Sequence, residues 1–217
     1  MRYALVGNPN CGKTTIFNVL TGLNQKVGNW SGVTVDKKVG YFKVNNKQVE
    51  IVDIPGIYSL SASDSSSIDE QIAFNYVMQE KPDAIINVLD ASNLERSMYL
   101  TIQLLELNVP IILAVNMVDV ANDNGIVINF DGLSKLLGIN VFPVIGSKSI
   151  GISELKNALI YAQKTSNYDL KSHYPKEILD LDSQLQKLRQ SETANLWLAG
   201  ELYEGRTLQL EQDTLGI

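Results

Sequence analysis

The fold of this 217-residue chain is decided by the stretch Gly7-Asn-Pro-Asn-Cys-Gly12-Lys13-Thr14. An apolar, strand-like run at residues 2–6 precedes it, and a helix-like run at residues 15–20 follows it. Two glycines followed by Lys-Thr at this spacing are typical of a phosphate-binding loop, in which consecutive backbone N–H groups point at phosphate oxygens. The next helix directs its positive N-terminal end at the same anions. The stretch therefore predicts a bound nucleoside triphosphate.

Individual positions in this loop have expected roles. Lys13 should reach the β- and γ-phosphates, and the Thr14 hydroxyl should bind Mg²⁺. Cys11 is the only cysteine, which excludes an internal disulfide, and we expect it to fill space rather than to act as a nucleophile. The residues predicted to contact the nucleotide here are Gly7, Asn8, Pro9, Asn10, Cys11, Gly12, Lys13, Thr14 and Thr15.

The charge balance limits the partners of the chain. Its formal net charge is −6, with 18 Lys and Arg against 24 Asp and Glu. No run of basic residues could neutralise several phosphates of a nucleic acid, so nucleic-acid partners are disfavoured. The longest apolar stretches, such as residues 110–115, fall far short of the ~20 residues that span a bilayer. The N-terminus lacks a signal-peptide pattern, and we expect the chain as given to be soluble and cytosolic.

The alternation of short apolar runs with segments of helical periodicity predicts an α/β fold. We expect a six-stranded, mostly parallel sheet, with strands at residues 2–6, 39–44, 49–52, 84–89, 111–115 and 141–144. Asn45-Asn46 lies between the second and third of these strands, which predicts a hairpin turn and one antiparallel edge strand. Helices are predicted at residues 15–21, 67–79, 94–107, 132–137 and 152–163.

The chain divides into a nucleotide-binding domain and a smaller helical part. We assign residues 1–164 to the first domain and the polar residues 165–175, which end in a proline, to a linker. Apolar residues then recur at helical spacing, which predicts two amphipathic helices. Two helices are too few for an independent domain. Residues 176–217 are therefore expected to form a small helical subdomain, incomplete at its end, that leans on the first domain.

The segment Asp53-Ile54-Pro55-Gly56 follows directly on an apolar strand. Asp53 is placed to hold Mg²⁺ through a water molecule, and the Gly56 N–H can bind the γ-phosphate. All four residues are predicted to line the nucleotide site. Ile57 follows, at the place where Ras-like GTPases carry a glutamine that orients the attacking water. Hydrolysis would then depend on backbone groups, on another side chain or on an added cation.

Asn116-Met117-Val118-Asp119 closes a later apolar strand and predicts guanine recognition. The Asp119 carboxylate can accept the N1–H and the N2 amino group of guanine, a donor pair that adenine lacks. Asn116 is expected to tie this segment to the phosphate-binding loop, and Met117 to make apolar contact with the base, where a lysine is usual. After the last strand, backbone N–H groups near Ser147 and Lys148 are candidates for contact with the guanine O6.

Residues 25–35, here called the first switch segment, contain glycines and are too irregular to predict a strand or a helix. Thr34 can supply a second hydroxyl to Mg²⁺ and its N–H to the γ-phosphate, with Gly32 and Val33 beside it at the nucleotide. Such a loop would be ordered by a triphosphate and released after hydrolysis. A plain surface loop is the alternative. Residues 58–69 are polar and suit a second switch segment.

Taken in order, GNPNCGKTT, GNWSGVTV, DIPGIYSL and NMVD resemble the FeoB family of ferrous-iron transport proteins, specifically its N-terminal cytosolic G domain. LWLAGELYEG at residues 196–205 is similar to the helical region that follows in this family. The resemblance implies a Ras-like P-loop GTPase fold and a helical subdomain that restrains nucleotide release. It also implies a membrane-embedded remainder of the polypeptide, a position on the cytoplasmic face of the bacterial inner membrane, and the option of a homo-oligomer.

The resemblance further implies stimulation by potassium. Related GTPases carry an asparagine in the phosphate-binding loop that ligates K⁺, and Asn10 occupies that place. Carbonyl groups near Gly28 and Trp30 would complete the shell. A monovalent cation between the phosphates would offset charge as an arginine finger does. The residues expected to carry catalysis are then Asn10, Lys13, Thr34 and Gly56.

The favoured function is GTP hydrolysis as the nucleotide switch of a ferrous-iron uptake system. One alternative is a ribosome- or tRNA-associated GTPase, since many of these share the asparagine-containing loop, but the acidic charge argues against it. A second alternative is a GTP-dependent binding module with negligible turnover, in which Ile57 marks lost catalysis. No cluster of His, Cys, Asp and Glu has metal-site spacing in the sequence, so the iron cargo rests on the resemblance alone.

Overall fold

A computed structural model describes residues 1–22, 24–60, 66–160, 170–189 and 195–203. These residues form seven strands and eight α-helices. The strands are β1 (Arg2–Gly7), β2 (Gln25–Asn29), β3 (Asp36–Val44), β4 (Lys47–Asp53), β5 (Ala84–Asp90), β6 (Ile111–Asn116) and β7 (Asn140–Pro143). The helices are α1 (Lys13–Thr21), α2 (Ile68–Gln79), α3 (Leu94–Glu106), α4 (Val118–Asp123), α5 (Phe130–Leu137), α6 (Ile152–Leu159), α7 (Lys176–Arg189) and α8 (Asn195–Tyr203).

All seven strands belong to one sheet, in the order β2-β3-β4-β1-β5-β6-β7. β1 pairs in parallel with β4 and β5, and β5, β6 and β7 continue in parallel. β3 runs antiparallel to β4, and β2 runs antiparallel to β3. The carboxyl ends of the parallel strands meet at one edge of the sheet, which is where ligands bind in open α/β folds. The predicted α/β class is confirmed.

The core lies on both faces of the sheet. Within β1, Ala4 and Val6 pack into the layer beneath α2 and α3, whereas Tyr3 and Leu5 pack into the layer beneath α1 and α6. Burial on both faces explains why the central strands are continuous apolar runs rather than alternating ones. This double layer holds the strand ends, and the loops that follow them, in fixed relative positions.

The predicted hairpin turn is confirmed, and the structure adds a capping box at the start of α2. Asn45 and Asn46 connect β3 to β4 with φ values of 47° and 62°, the left-handed backbone that a two-residue hairpin turn requires. Ser67 precedes α2, and its hydroxyl accepts the Glu70 N–H while the Glu70 carboxylate accepts the Ser67 N–H. This capping box fixes where α2 begins, within the second switch segment.

The strand count is where the sequence prediction was wrong. Gln25–Asn29, predicted to be part of an irregular loop, forms β2, so the sheet has seven strands rather than six. It contains two antiparallel pairings rather than one, and β2 rather than β3 lies at the edge. Most of the β2 side chains are exposed, and backbone pairing with β3 holds this strand. Without a buried face, the strand has no period-two pattern in the sequence. The sequence analysis also did not predict the short helix α4, which begins within the guanine-recognition segment.

The two predicted C-terminal helices are present as α7 and α8. They pack on one another through Ile178, Leu196 and Ala199. The Trp197 ring of α8 lies against Phe74 of α2, with ring centroids 4.8 Å apart. The boundaries at residues 164 and 175 stay predictions, and residues 161–169 and 204–217 lie outside the described residues. Within the described part of the chain, no helix combines the length and apolar character needed to cross a membrane.

Candidate nucleotide-binding site

A cavity of about 530 Å³ opens at the carboxyl edge of the sheet. The loop after β1 forms one wall, Gly56 and the start of α2 form the other, and the first turn of α1 closes the base. Its lining residues are Asn8, Pro9, Asn10, Gly12, Lys13, Thr14, Thr15, Gly56 and Asp69. Most of the loop residues predicted to contact phosphate are thus gathered around one space.

The shape of this loop depends on its two glycines. A Cβ at Gly7 would lie 2.5 Å from the Val88 carbonyl oxygen, and one at Gly12 would lie 2.2 Å from Nδ2 of Asn116. Gly12 also has a φ of 83°, where side chains are strained. Asn10 takes a left-handed φ of 66°, which asparagine tolerates better than most residues. The two glycines and Asn10 therefore determine the backbone conformation of the turn before α1.

Lys13, which lines the cavity, forms an ion pair with Asp53. Their side chains are only 11% and 8% exposed, respectively. They are 40 residues apart in sequence, and the parallel pairing of β1 with β4 brings their segments together. A phosphate group entering the cavity would offer Lys13 a second anion. Asp53 and the Thr14 hydroxyl supply carboxylate and hydroxyl oxygens, the ligand types that Mg²⁺ prefers, so these residues fit a magnesium ion.

Asn116 joins three loops at the other end of the site. Its Nδ2 donates to the Cys11 carbonyl oxygen at 3.0 Å, and its Oδ1 accepts the Gly146 N–H at 2.9 Å. The predicted tie to the phosphate-binding loop is therefore present. Asn116 is 3% exposed, so both hydrogen bonds are shielded from water. The Met117 terminal methyl group lies near Gly12.

Asp119, in the predicted guanine-recognition segment, forms an ion pair with Lys148. Lys148 Nζ lies 2.7 Å from its Oδ2, and the Val120 N–H donates to its Oδ1 at 3.1 Å. The hydrogen bond from Lys148 lowers the pKa of Asp119, and the same contact raises the pKa of Lys148. The carboxylate can therefore accept hydrogen bonds from a ligand at neutral pH once Lys148 moves away.

Comparisons with known proteins identify the family of this chain. The family model "Ferrous iron transport protein B" matches residues 1–159. This chain belongs to the FeoB family. It is 46% identical over 205 residues to the Fe(2+) transporter FeoB of Escherichia coli (strain K12), a match that covers 93% of this chain and 26% of the relative. The chain thus spans about a quarter of the length of the curated relatives it matches.

Solved structures in the FeoB family share the fold. The cytosolic domain of L. pneumophila FeoB has 43% sequence identity and a TM-score of 0.85, covering 95% of this chain and 89% of that one. A mutant of S. thermophilus NFeoB bound to GDP has 37% identity and a TM-score of 0.84, covering 99% of this chain and 85% of that one. The Ras-like G-domain fold implied by the resemblance is confirmed.

Several residues of the first switch segment that were predicted to contact the nucleotide or its metal ions lie away from the cavity. Thr34 is exposed, and neither it nor Gly32 and Val33 line the cavity. Of the three residues expected at K⁺, Asn10 lines the cavity, whereas Gly28 is paired with Lys37 in the sheet. The roles of Thr34, Gly28 and Trp30 as ligands stay predictions that require the first switch segment to move.

One acidic residue at the cavity was missed by sequence reasoning. Asp69 lies in the first turn of α2 and lines the cavity together with Gly56. An acidic residue in a first turn is common because it complements the helix dipole, so the sequence offered no separate signal.

Ile57 is 2% exposed and packs into the core. Its side chain therefore faces away from the cavity in this structure.

Cys11 is predicted to be unreactive in the native protein. It is 1% exposed, and burial raises its pKa to about 11. The thiolate fraction near neutral pH is then about 100-fold lower than that of a free thiol. We expect a disulfide reagent such as DTNB to modify the folded protein at least about 100-fold more slowly than the protein in guanidinium. Because Cys11 is the only cysteine, fast native modification would contradict its burial directly.

Proposed function

We propose that this chain binds GTP and GDP with Mg²⁺ and hydrolyses GTP, as the nucleotide switch of a ferrous-iron transporter. The observation that carries the proposal is the cavity that the phosphate-binding loop lines, with Lys13 at its surface and Asp53 paired to Lys13. Asn116 links that loop to the Asp119 end of the site. This link supports a single ligand that contacts the phosphate-binding loop at one end and Asp119 at the other.

The comparisons support the nucleotide and the cargo. A neighbour at 37% identity is described as bound to GDP, and a relative at 46% identity is named an Fe(2+) transporter. Transport itself belongs to the rest of the longer polypeptide. We therefore place this domain on the cytoplasmic face of the bacterial inner membrane, joined to a membrane-embedded remainder, with a homo-oligomer as a further option. Among the described residues, no group of three or more His, Cys, Asp and Glu side chains could hold a metal ion.

The mechanism begins with the exchange of ion pairs. Lys13 leaves Asp53 and binds the β- and γ-phosphates, which frees the Asp53 carboxylate. Asp53 and Thr14, joined by Thr34 after the first switch segment moves, would hold Mg²⁺, which supplies charge neutralisation when bound. The Gly56 N–H binds the γ-phosphate, and its contact is lost with that phosphate. At the other end Asp119 accepts the guanine N1–H and N2 amino groups after Lys148 has withdrawn.

A GTP-dependent binding module with negligible turnover is the second candidate. The buried position of Ile57 favours it, because that side chain cannot orient water. Single-turnover hydrolysis with Mg²⁺ and K⁺ separates the two candidates: release of phosphate from bound GTP supports the enzyme, and bound GTP that persists supports the module. A ribosome-associated role receives no support from the acidic charge or from the FeoB relatives.

Potassium is expected to accelerate hydrolysis through Asn10. We predict that the wild-type rate is at least about tenfold higher in KCl than in NaCl, because a cation between the phosphates offsets developing charge. The matched variant is Asn10→Gly, since glycine tolerates the left-handed φ of 66° but lacks the side-chain oxygen. This variant should hydrolyse GTP equally slowly in both salts while keeping its affinity for GDP. Equal wild-type rates in the two salts would contradict a role for K⁺.

A further inference from the structure

Trp30, Lys37 and Tyr76 form a compact cluster beside the sheet, here called the aromatic latch. The Trp30 and Tyr76 rings meet edge to face, with centroids 5.5 Å apart and an interplanar angle of 80°. Lys37 Nζ lies 4.6 Å from the Trp30 ring centroid and 5.7 Å from that of Tyr76. Both rings are buried, at 9% and 4% exposure. These contacts are favourable aromatic and cation–π geometries.

The latch connects three elements around the nucleotide site. Trp30 belongs to the first switch segment, Lys37 belongs to β3, and Tyr76 belongs to α2, which begins within the second switch segment. Lys37 is also the sheet partner of Gly28 in β2. The latch therefore holds the first switch segment against the sheet edge and couples its position to α2.

The latched arrangement is incompatible with the ligand contacts expected of this segment. The Trp30 N–H donates to the Val35 carbonyl oxygen at 2.9 Å, and the Trp30 carbonyl oxygen accepts the Val33 N–H at 3.3 Å. Both backbone groups of Trp30 are thus used inside the turn. Thr34, which lies within that turn, is exposed and does not line the cavity. A triphosphate with its metal ions would need the segment to leave this position.

The latch is built with two unsatisfied polar groups. Trp30 Nε1 and the Tyr76 hydroxyl oxygen are buried without a hydrogen-bond partner in the part of the chain that the structure describes. Burying such groups opposes the aromatic contacts, because each has lost its hydrogen bonds to water. Opening the latch would return both groups to solvent. The two effects oppose each other, so the free energy that a ligand must supply to release the latch is smaller than the aromatic contacts alone would require.

We propose that Trp30, Lys37 and Tyr76 hold the first switch segment away from the cavity, and that a nucleoside triphosphate with Mg²⁺ releases this latch whereas a diphosphate does not. The proposal rests on the proposed function, because it takes a guanine nucleotide as the ligand. The triphosphate differs by the γ-phosphate, which gains contacts with Thr34 only in the released state. That differential affinity is what shifts the equilibrium.

Tryptophan fluorescence tests the release. The protein is titrated with GDP or with a non-hydrolysable GTP analogue, both with Mg²⁺, while calorimetry measures binding of each. We expect the analogue, but not GDP, to red-shift the emission and to increase quenching by acrylamide. Trp30→Phe is the control, because it leaves Trp197 as the other tryptophan and should abolish the change. Equal quenching with both bound nucleotides would overturn the latch. Binding of neither nucleotide would overturn the proposed function, and the latch with it.

Two substitutions test the latch by effects of opposite sign. Lys37→Gln removes the cation–π contacts and should tighten binding of the analogue relative to GDP by roughly two- to fivefold. Tyr76→Phe keeps the ring but removes the unsatisfied hydroxyl group, which stabilises the latched state and should weaken analogue binding by about threefold or more. Lys43→Gln on the same strand makes the same charge change outside the latch and should leave the ratio unchanged. Affinity ratios that stay at the wild-type value in both latch variants would overturn the proposal.

Discussion

Replacement of Asp119 by asparagine is expected to weaken binding of GTP and GDP by at least about 100-fold. The wild-type carboxylate offers two acceptor oxygens to the N1–H and N2 amino donors of guanine. Asparagine offers one oxygen and directs its own N–H donors at the other guanine donor, so two donors meet without an acceptor. Xanthine carries a carbonyl in place of the amino group, and the variant should bind XDP better than GDP. Calorimetry with the two diphosphates measures this reversal.

The Lys148 ion pair requires a control for this experiment. Asp119→Asn also removes the partner of Lys148, whose Nζ lies 2.7 Å from Oδ2. Lys148→Met breaks the same pair while leaving the carboxylate in place. Because exposed ion pairs contribute little to stability, we expect GDP affinity in this variant to change by less than about fivefold. Unchanged GDP affinity in Asp119→Asn would show that guanine is not read by this residue.

The central part of the fold could be predicted from the sequence because its signals are local. The spacing of Gly7, Gly12 and Lys13 specifies a turn between a strand and a helix. This local structure does not depend on residues elsewhere in the chain for its prediction. The hairpin at Asn45-Asn46 is equally local. The carboxyl ends of parallel strands meet at one edge, so the positions of Asp53 and Asn116 follow from the strand pattern once the fold class is known.

The first switch segment could not be predicted in the same way. β2 has no apolar face, and its pairing with β3 depends on backbone hydrogen bonds that carry no residue pattern. Trp30 lies in a glycine-containing loop, where a large aromatic residue predicts neither burial nor exposure. Its partner Tyr76 is distant in sequence. From the sequence of its helix, Tyr76 is indistinguishable from an ordinary core residue. Contacts of this kind depend on the packed structure.

The same limit applies to Asp69 and Trp197. Helical periodicity predicted the helix that carries each residue, but the neighbour across the interface is not encoded by periodicity. Asp69 reaches the cavity because the capping box between Ser67 and Glu70 sets where α2 begins. Trp197 contacts Phe74 because α8 packs beside α2, the helix that carries Phe74. In both cases a one-residue shift of the helix would remove the contact.

Replacement of Lys13 by alanine is expected to have two separate effects. Hydrolysis of GTP should fall by about 10²–10³-fold, because a cation placed at the transferring phosphate is lost. The nucleotide-free protein should also lose about 3 kcal/mol of its free energy of unfolding, because the Asp53 carboxylate is then buried without its partner. Single-turnover phosphate release measures the first effect, and urea unfolding without nucleotide measures the second.

A double variant distinguishes these two effects. Lys13→Ala combined with Asp53→Asn removes the buried charge as well as its partner, so the free energy of unfolding should return towards the wild-type value. Hydrolysis should stay low, because neither the phosphate-binding cation nor the Mg²⁺ ligand is restored. Recovery of stability without recovery of hydrolysis would establish that the Lys13–Asp53 pair stabilises the nucleotide-free state and that Lys13 acts on phosphate in the occupied state. If Lys13→Ala alone kept wild-type stability, the ion pair would not be a structural feature of the empty site.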